Sequence, residues 1–362
     1  MSELIFPFIA LILSMICSLI ILPHLLTLCY KRGLYDLPNE RKVHKNSIPR
    51  LGGLIFAPAT LVGTLGTIGI MHLLDVKTPD TFQFSSILFG CGALLIYFVG
   101  AIDDLVGCSA HIKFAIQFIT AILFPLCGLQ LDSLYGLLGI YELPEIVSFA
   151  LTVFLVLLIV NAINLIDGID GLAAGLSLIA LVCYCVLFHN IHIPCFVLIT
   201  AALIGSIIVF LPFNLWGTVK NKRKTFMGDS GSLLLGIVLA YFTMKYAMNE
   251  SPTLPQHADG LVMAYTLTLV PCFDLCRVAL CRLMKGQSIF HPDKTHIHHK
   301  LMAAGASMHS ALIIILALQI AYILVNTVLF YCEVDMLWIM LIDIATFTAL
   351  HIYLPIQNVE DK

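Results

Sequence analysis

Eleven stretches of this sequence are long and apolar enough to cross a membrane, and their succession constrains the fold more than any other feature. They run near 4–29, 52–74, 84–102, 113–131, 145–163, 171–189, 193–211, 230–248, 260–281, 309–331 and 334–354. A hydrocarbon core of about 30 Å takes about 20 helical residues, and in it only helices and closed barrels satisfy every backbone group. The expectation is an all-α polytopic integral membrane protein with about eleven transmembrane helices, ten being the alternative count. Composition agrees, with 60% hydrophobic and 11% charged residues, where soluble domains carry about 25% charged. Connections such as 190–192 are too short for a soluble domain, so residues 1–362 read as one integral membrane domain. The first apolar run lacks a basic leader and a small-residue cleavage site, which makes it a retained span. The twelve cysteines lie almost all in apolar runs and form no CxxC pair, so they read as small apolar residues.

With eleven spans the loops alternate sides, and 17 of the 19 lysines and arginines then fall on one of them. Lys31, Arg32, Arg41, Lys42, Lys45 and Arg50 lie in the first loop, and Lys220, Lys222, Arg223 and Lys224 in the seventh. Arg277, Arg282, Lys285, Lys294 and Lys300 flank the ninth; Lys113 and Lys362 share that side, and Lys77 and Lys245 do not. Positive charge is retained inside, so this face is expected to be cytoplasmic, with the N-terminus outside. The opposite loops are short and acidic, as at Glu142, Glu145, Glu250 and Asp259.

The polar exceptions gather on the basic side. Residues 161–171 place Asn161, Asn164, Asp167 and Asp170 at every third position, a polar ladder if the helix continues through them. Acids at a bilayer boundary call for a cation, a substrate or a strong partner. Adjacent Asp103 and Asp104 lie about 100° apart on a helix, so one should face a site and the other a structural partner. Arg50 precedes the pair Gly52-Gly53, which suits phosphate approach or a topology anchor. Asp229, in Phe226-Met-Gly-Asp-Ser-Gly231, reads either as a helix N-cap or as a ligand for an anion's metal. His291, His296, His298 and His299 stand near Arg277 and Arg282, and suit hydrogen bonding to phosphate better than a transition-metal site. Only Asp274 and Asp343 look embedded, and Asp274 can pair with Arg277 at i,i+3.

Carboxylates repel phosphate, so six aspartates among many cations make chemical sense if a divalent cation joins acid to phosphate. Mg²⁺, with Mn²⁺ as a substitute, takes one or two carboxylates and phosphate oxygens. The combination points to phosphoryl transfer at the membrane surface. The rival class is an ion or solute transporter, which would place its ionisable groups near the bilayer midplane.

The blocks 36–53, Asp103-Asp104, 161–171, 226–231 and 292–299 resemble the polyprenyl-phosphate N-acetylhexosamine-1-phosphate transferases, in order along the chain. Pro292-Asp-Lys-Thr-His-Ile-His-His299 resembles the WecA/TagO-like branch; the MraY branch carries three adjacent histidines instead. The resemblance implies transfer of a sugar 1-phosphate, GlcNAc first among the candidates, from a UDP-N-acetylhexosamine to undecaprenyl phosphate with release of UMP. An MraY-type donor is the runner-up within the superfamily. Carried over by motif, Asp167 and Asp229 would hold Mg²⁺, while Asp103, Asp104, Asp167 and Asp170 form the catalytic set. Asn164, Phe226, Arg282, His296, His298, His299, Lys113 and Arg50 would bind substrate. Implied surroundings are the bacterial inner membrane and its lipid, with a homodimer left open and no nucleic acid.

Overall fold

Every apolar run is helical in the computed structural model, which describes residues 4–35, 48–79, 84–248, 259–288 and 295–354. In chain order the helices are α1 (Ile5–Arg32), α2 (Phe56–Leu73), α3 (Phe84–Val106), α4 (Ala110–Leu126), α5 (Glu145–Ile166), α6 (Leu172–Asn190) and α7 (Pro194–Leu215). Then come α8 (Gly228–Ala247), α9 (Gly260–Leu267), α10 (Leu269–Met284), the short α11 (Ile297–Ala303), α12 (Met308–Tyr331) and α13 (Met336–Tyr353). Among the described residues there is no strand.

Nine of these helices are long and apolar enough to span a bilayer. The run expected as one span over 260–281 is two helices, α9 and α10, meeting at 67°, and they make a tenth if both lie in one crossing. α4 has 17 residues, at the short end for a span. The count is therefore nine to ten, which meets the alternative of ten and falls short of eleven in these two places. Arg41, Lys42, Lys45, Glu250, His291, Pro292, Asp293, Lys294 and Lys362 lie outside the described residues.

The helices are organised around α8, which is buried from Ser230 to Ala247. It is also the least apolar of the long helices. A helix carrying Ser232, Thr243 and Lys245 is tolerated because protein, not lipid, surrounds it. α3, α5 and α9 pack against it. Toward its C-terminus aromatic rings fill the space: Tyr241 stacks on Phe89 with centroids 3.8 Å apart, and the Tyr184 hydroxyl lies 2.8 Å from that of Thr243. Such pairs add about 0.5–1.5 kcal/mol beyond their burial.

At the other end the segment before α2 is tied to the segment before α8. Phe226 N–H donates to the Pro49 carbonyl at 2.8 Å, Gly52 N–H to Phe226 at 3.0 Å, and Gly53 N–H to Met227 at 2.8 Å. The two segments touch backbone to backbone, since a Cβ added to Gly53 would lie 2.3 Å from the Gly231 Cα. Gly53→Ala is therefore expected to lower the melting temperature of the purified protein and its yield in the membrane. Gly69→Ala is the control, because a Cβ there meets nothing within 4 Å; equal melting of the two variants would contradict this packing.

Candidate active site

The acids meet where the ends of α3, α4, α5 and α8 converge. Asp103 and Asp104 divide their labour as their angular separation requires. Asp104, 8% exposed, turns into the protein and accepts three hydrogen bonds from the start of α8: Asp229 N–H at 2.8 Å, Ser230 N–H at 2.9 Å and Ser230 Oγ–H at 2.8 Å. Those amides have no partner within the helix, and a carboxylate there also meets the positive end of the helix dipole. The N-cap of α8 is thus supplied by another helix. Asp229 is not the N-cap: that position is Met227, without a side-chain cap, and the Asp229 side chain is left for other work. Gly228 makes the approach possible, with a φ of +75° and no room for a Cβ, which would fall 2.0 Å from the Arg50 carbonyl oxygen.

Asp103 faces the opposite way. Its Oδ1 accepts the Cys108 amide at 2.7 Å, closing the turn after α3, and its Oδ2 meets Lys113 Nζ at 3.2 Å. Lys113 also reaches Asp229 Oδ2 at 2.7 Å, so one ammonium bridges the two acids. Arg50 closes the α3 side, its guanidinium donating to the backbone carbonyls of Asp103 at 2.9 Å and Asp104 at 3.1 Å. Phe226, half-buried, sits on the strand-like pairing beside Arg50.

The polar ladder of residues 161–171 does not persist, because α5 ends at Ile166 and the chain turns. Asn161 points away and donates to Gln117 at 2.8 Å. Asn164 donates to Ser232 Oγ at 2.8 Å, with Asp229 Oδ1 at 3.4 Å. Asp170, beyond the helix, pairs with Lys224 at 2.6 Å and lies near the Asn214 amide. Lys224, read from sequence only as a topology anchor, is thus a specific partner. Asp167, alone of the four, has no side-chain hydrogen bond to another described residue. Burial first, then the charges of Asp229 and Asp170, push its carboxyl up to about 8.

The histidine segment reaches the same turn. Asp274 of α10 is fully buried and accepts from Arg277 at 2.9 Å, from the Ile297 amide at 3.0 Å and from His296 Nδ1 at 2.7 Å. Asp274 therefore seats α11, a role that its i,i+3 spacing to Arg277 only half revealed. His298 packs on Gly168, where an added Cβ would fall 2.2 Å from its Nε2. Burial, followed by the neighbouring His299 and His296, lowers its imidazole to about 3, so at neutral pH it is uncharged. His299 lies against His298 with ring centroids 4.2 Å apart, and Arg282 is buried in the last turn of α10.

Asp103, Asp104 and Asp229 bring carboxylate oxygens within 4.8 Å of one another. Asp104 is committed to α8 and both Asp103 oxygens are engaged by Cys108 and Lys113, so Asp229 is the member of this cluster with an oxygen to give, and Asp167 stands near enough to feel its charge. Hard oxygen donors, and an unpartnered carboxyl at Asp167 whose ionised form a cation would stabilise, fit a divalent cation. The raised carboxyl has a consequence for stability. Ionising a group whose folded pKa lies above its ordinary value of 3.8 costs folded stability as pH rises from about 4 to about 8. Asp167→Asn is expected to raise the metal-free melting temperature at pH 7 and to flatten its decline over that window. Wild-type and variant curves that run parallel would contradict the assignment.

The family model for glycosyl transferase family 4 matches residues 86–247. A probable undecaprenyl-phosphate N-acetylglucosaminyl 1-phosphate transferase of Bacillus subtilis is 32% identical over 309 residues, covering 85% of this chain and 80% of its own. The undecaprenyl-phosphate alpha-N-acetylglucosaminyl 1-phosphate transferase of Escherichia coli K12 is 32% identical over 319 residues, 86% and 81% of the two chains. That of Yersinia pestis is 30% identical over 288 residues, 79% and 74%. Relatives at this identity over most of both chains show that the protein belongs to glycosyl transferase family 4, among the WecA/TagO-like polyprenyl-phosphate N-acetylhexosamine-1-phosphate transferases.

Proposed function

We propose that this chain transfers N-acetylglucosamine 1-phosphate from UDP-N-acetylglucosamine to undecaprenyl phosphate, releasing UMP and starting a cell-envelope glycan. The observation that carries it is Lys113, which bridges Asp103 and Asp229 at one end of three converging helices. An acid pair with its own movable cation suits a site that must accept phosphates and a metal together. The names of the relatives supply the sugar and the lipid, and favour N-acetylglucosamine over an MraY-type donor.

In this reading an oxygen of the lipid phosphate attacks the phosphorus that bears the sugar. The bond from that phosphorus to the bridging oxygen breaks, and UMP leaves. A phosphate monoester has a second pKa of about 6, so the acceptor needs little help to lose its proton near neutral pH. Asp103 then serves chiefly to orient Lys113, which with Arg50 offers positive charge to the phosphates. Asp229 and Asp167 would hold Mg²⁺, whose charge neutralises the donor pyrophosphate. Asp104 fixes the start of α8, and so the place of Asp229. Asn164 and Asp170 line the nucleotide side, and Phe226 offers its ring to uracil. His296, His298 and His299, with Arg282, hold donor phosphates. The basic residues gathered at this end, Arg50, Lys113 and Lys224 among them, support placing it at the cytoplasmic face of the inner membrane, with the N-terminus across α1 and outside.

Purified protein with undecaprenyl phosphate and Mg²⁺ is expected to release UMP from UDP-N-acetylglucosamine in preference to other UDP-sugars. No release with any donor would refute the transferase reading. Asp229→Asn should cut turnover by about a hundredfold or more, as loss of a group stabilising developing charge does, while folded protein persists in the membrane. Asp103→Asn should leave donor affinity, measured by calorimetry, near wild type and slow the chemical step; matched losses in both would assign it to folding.

A further inference from the structure

The break between α9 and α10 is filled by a side chain from another helix. In a continuous helix the Val270 N–H would donate to the Thr266 carbonyl, four residues back. Across the 67° bend at Thr268 that bond is replaced by the amide of Gln319, from α12. Gln319 Oε1 accepts Val270 N–H at 3.1 Å, and Gln319 Nε2 donates to the Thr266 carbonyl at 2.8 Å. Gln319, Thr266 and Val270 are all fully buried, where unpaired backbone groups are costly. Pro271 removes the next helical donor and permits a break, but it does not fix an angle. A second brace stands beside the first. Asn326 Nδ2 donates to Thr266 Oγ1 at 3.0 Å and to Asp343 Oδ2 at 2.8 Å, and the Tyr265 hydroxyl donates to the same oxygen at 2.9 Å.

The angle matters because of what α10 carries. Asp274 lies about one helical turn beyond Val270. It seats His296 and the Ile297 amide, and through them places His298 on Gly168, next to Asp167. A change of angle at Thr268 would therefore move the histidine segment relative to the acids on α3 and α8. We propose that Gln319 is a positioning residue: inserted into the broken backbone bond, it sets the angle at which α10 carries Asp274, and with it the place of the histidine segment that Asp274 seats before the donor phosphates. This rests on the transferase reading above and names a residue whose hydrogen bonds reach none of the groups assigned to substrate.

The test is Gln319→Leu, which keeps the bulk and loses both hydrogen bonds. Its KM for the UDP-sugar should rise about tenfold or more, with a smaller loss in kcat, since displacement of about 1 Å can cost about a hundredfold. Hydrogen exchange in residues 266–274 should accelerate, which is read without any activity. Unchanged exchange and an unchanged KM would overturn the proposal, as would a fall in kcat alone. If wild type releases no UMP while exchange still responds to the substitution, the transferase reading fails and the latch stands. Gln319→Glu guards against a variant that does not fold. Its carboxyl can donate to Thr266 only when protonated, so its KM relative to wild type should climb as pH rises; a flat ratio would count against the latch.

Discussion

The position of α8 rests on one interaction, the carboxylate of Asp104 against the amides of Asp229 and Ser230. A helix that begins inside protein leaves its first amides without water, and something must answer them. Here the answer comes from a residue 125 positions away, so the end of α3 and the start of α8 cannot move independently. Gly228 and the Gly53–Gly231 contact are corollaries, because the anchor closes only where no Cβ intervenes. Removing the anchor would release Asp229, Lys113 and the segment paired with Arg50 together.

From there outward, most of the aspartates at the acid end meet a specific partner. Asp170 takes Lys224, Asp274 takes Arg277 and His296, and Asp103 takes Lys113. Burying ions costs several kcal/mol each unless such partners exist. Asp167 is the exception, and its raised carboxyl marks where the fold carries a cost that binding can offset. The site is in this sense strained at one residue and settled at the rest.

Much of the fold was legible from apolar length alone, since each run longer than a bilayer's thickness had to become helix. The bend between α9 and α10 was not, because the groups that stabilise it lie about fifty residues further on, in an otherwise apolar α12. Asp103 and Asp104 could be separated into inward and outward roles by helix geometry. The ladder of residues 161–171 misled because period-three spacing was extended past Ile166, where the helix stops. Lys224 was hidden for another reason: a basic loop already has a topological explanation, which draws attention away from any single member. Asp229 looked like a cap because of its place before a helix, and only three dimensions could show that the capping came from elsewhere.

Lys113 holds both Asp103 and Asp229 with one ammonium. The protein thus folds around a built-in counter-ion, and in the proposed reading filling the site would exchange one positive charge for another. A lysine displaced in this way would not diffuse away; held by its tether, it would remain available to whatever anion arrived with the metal. Loading of metal and of phosphate would then be linked through a single side chain, and the order in which the two arrive would be written into its reach.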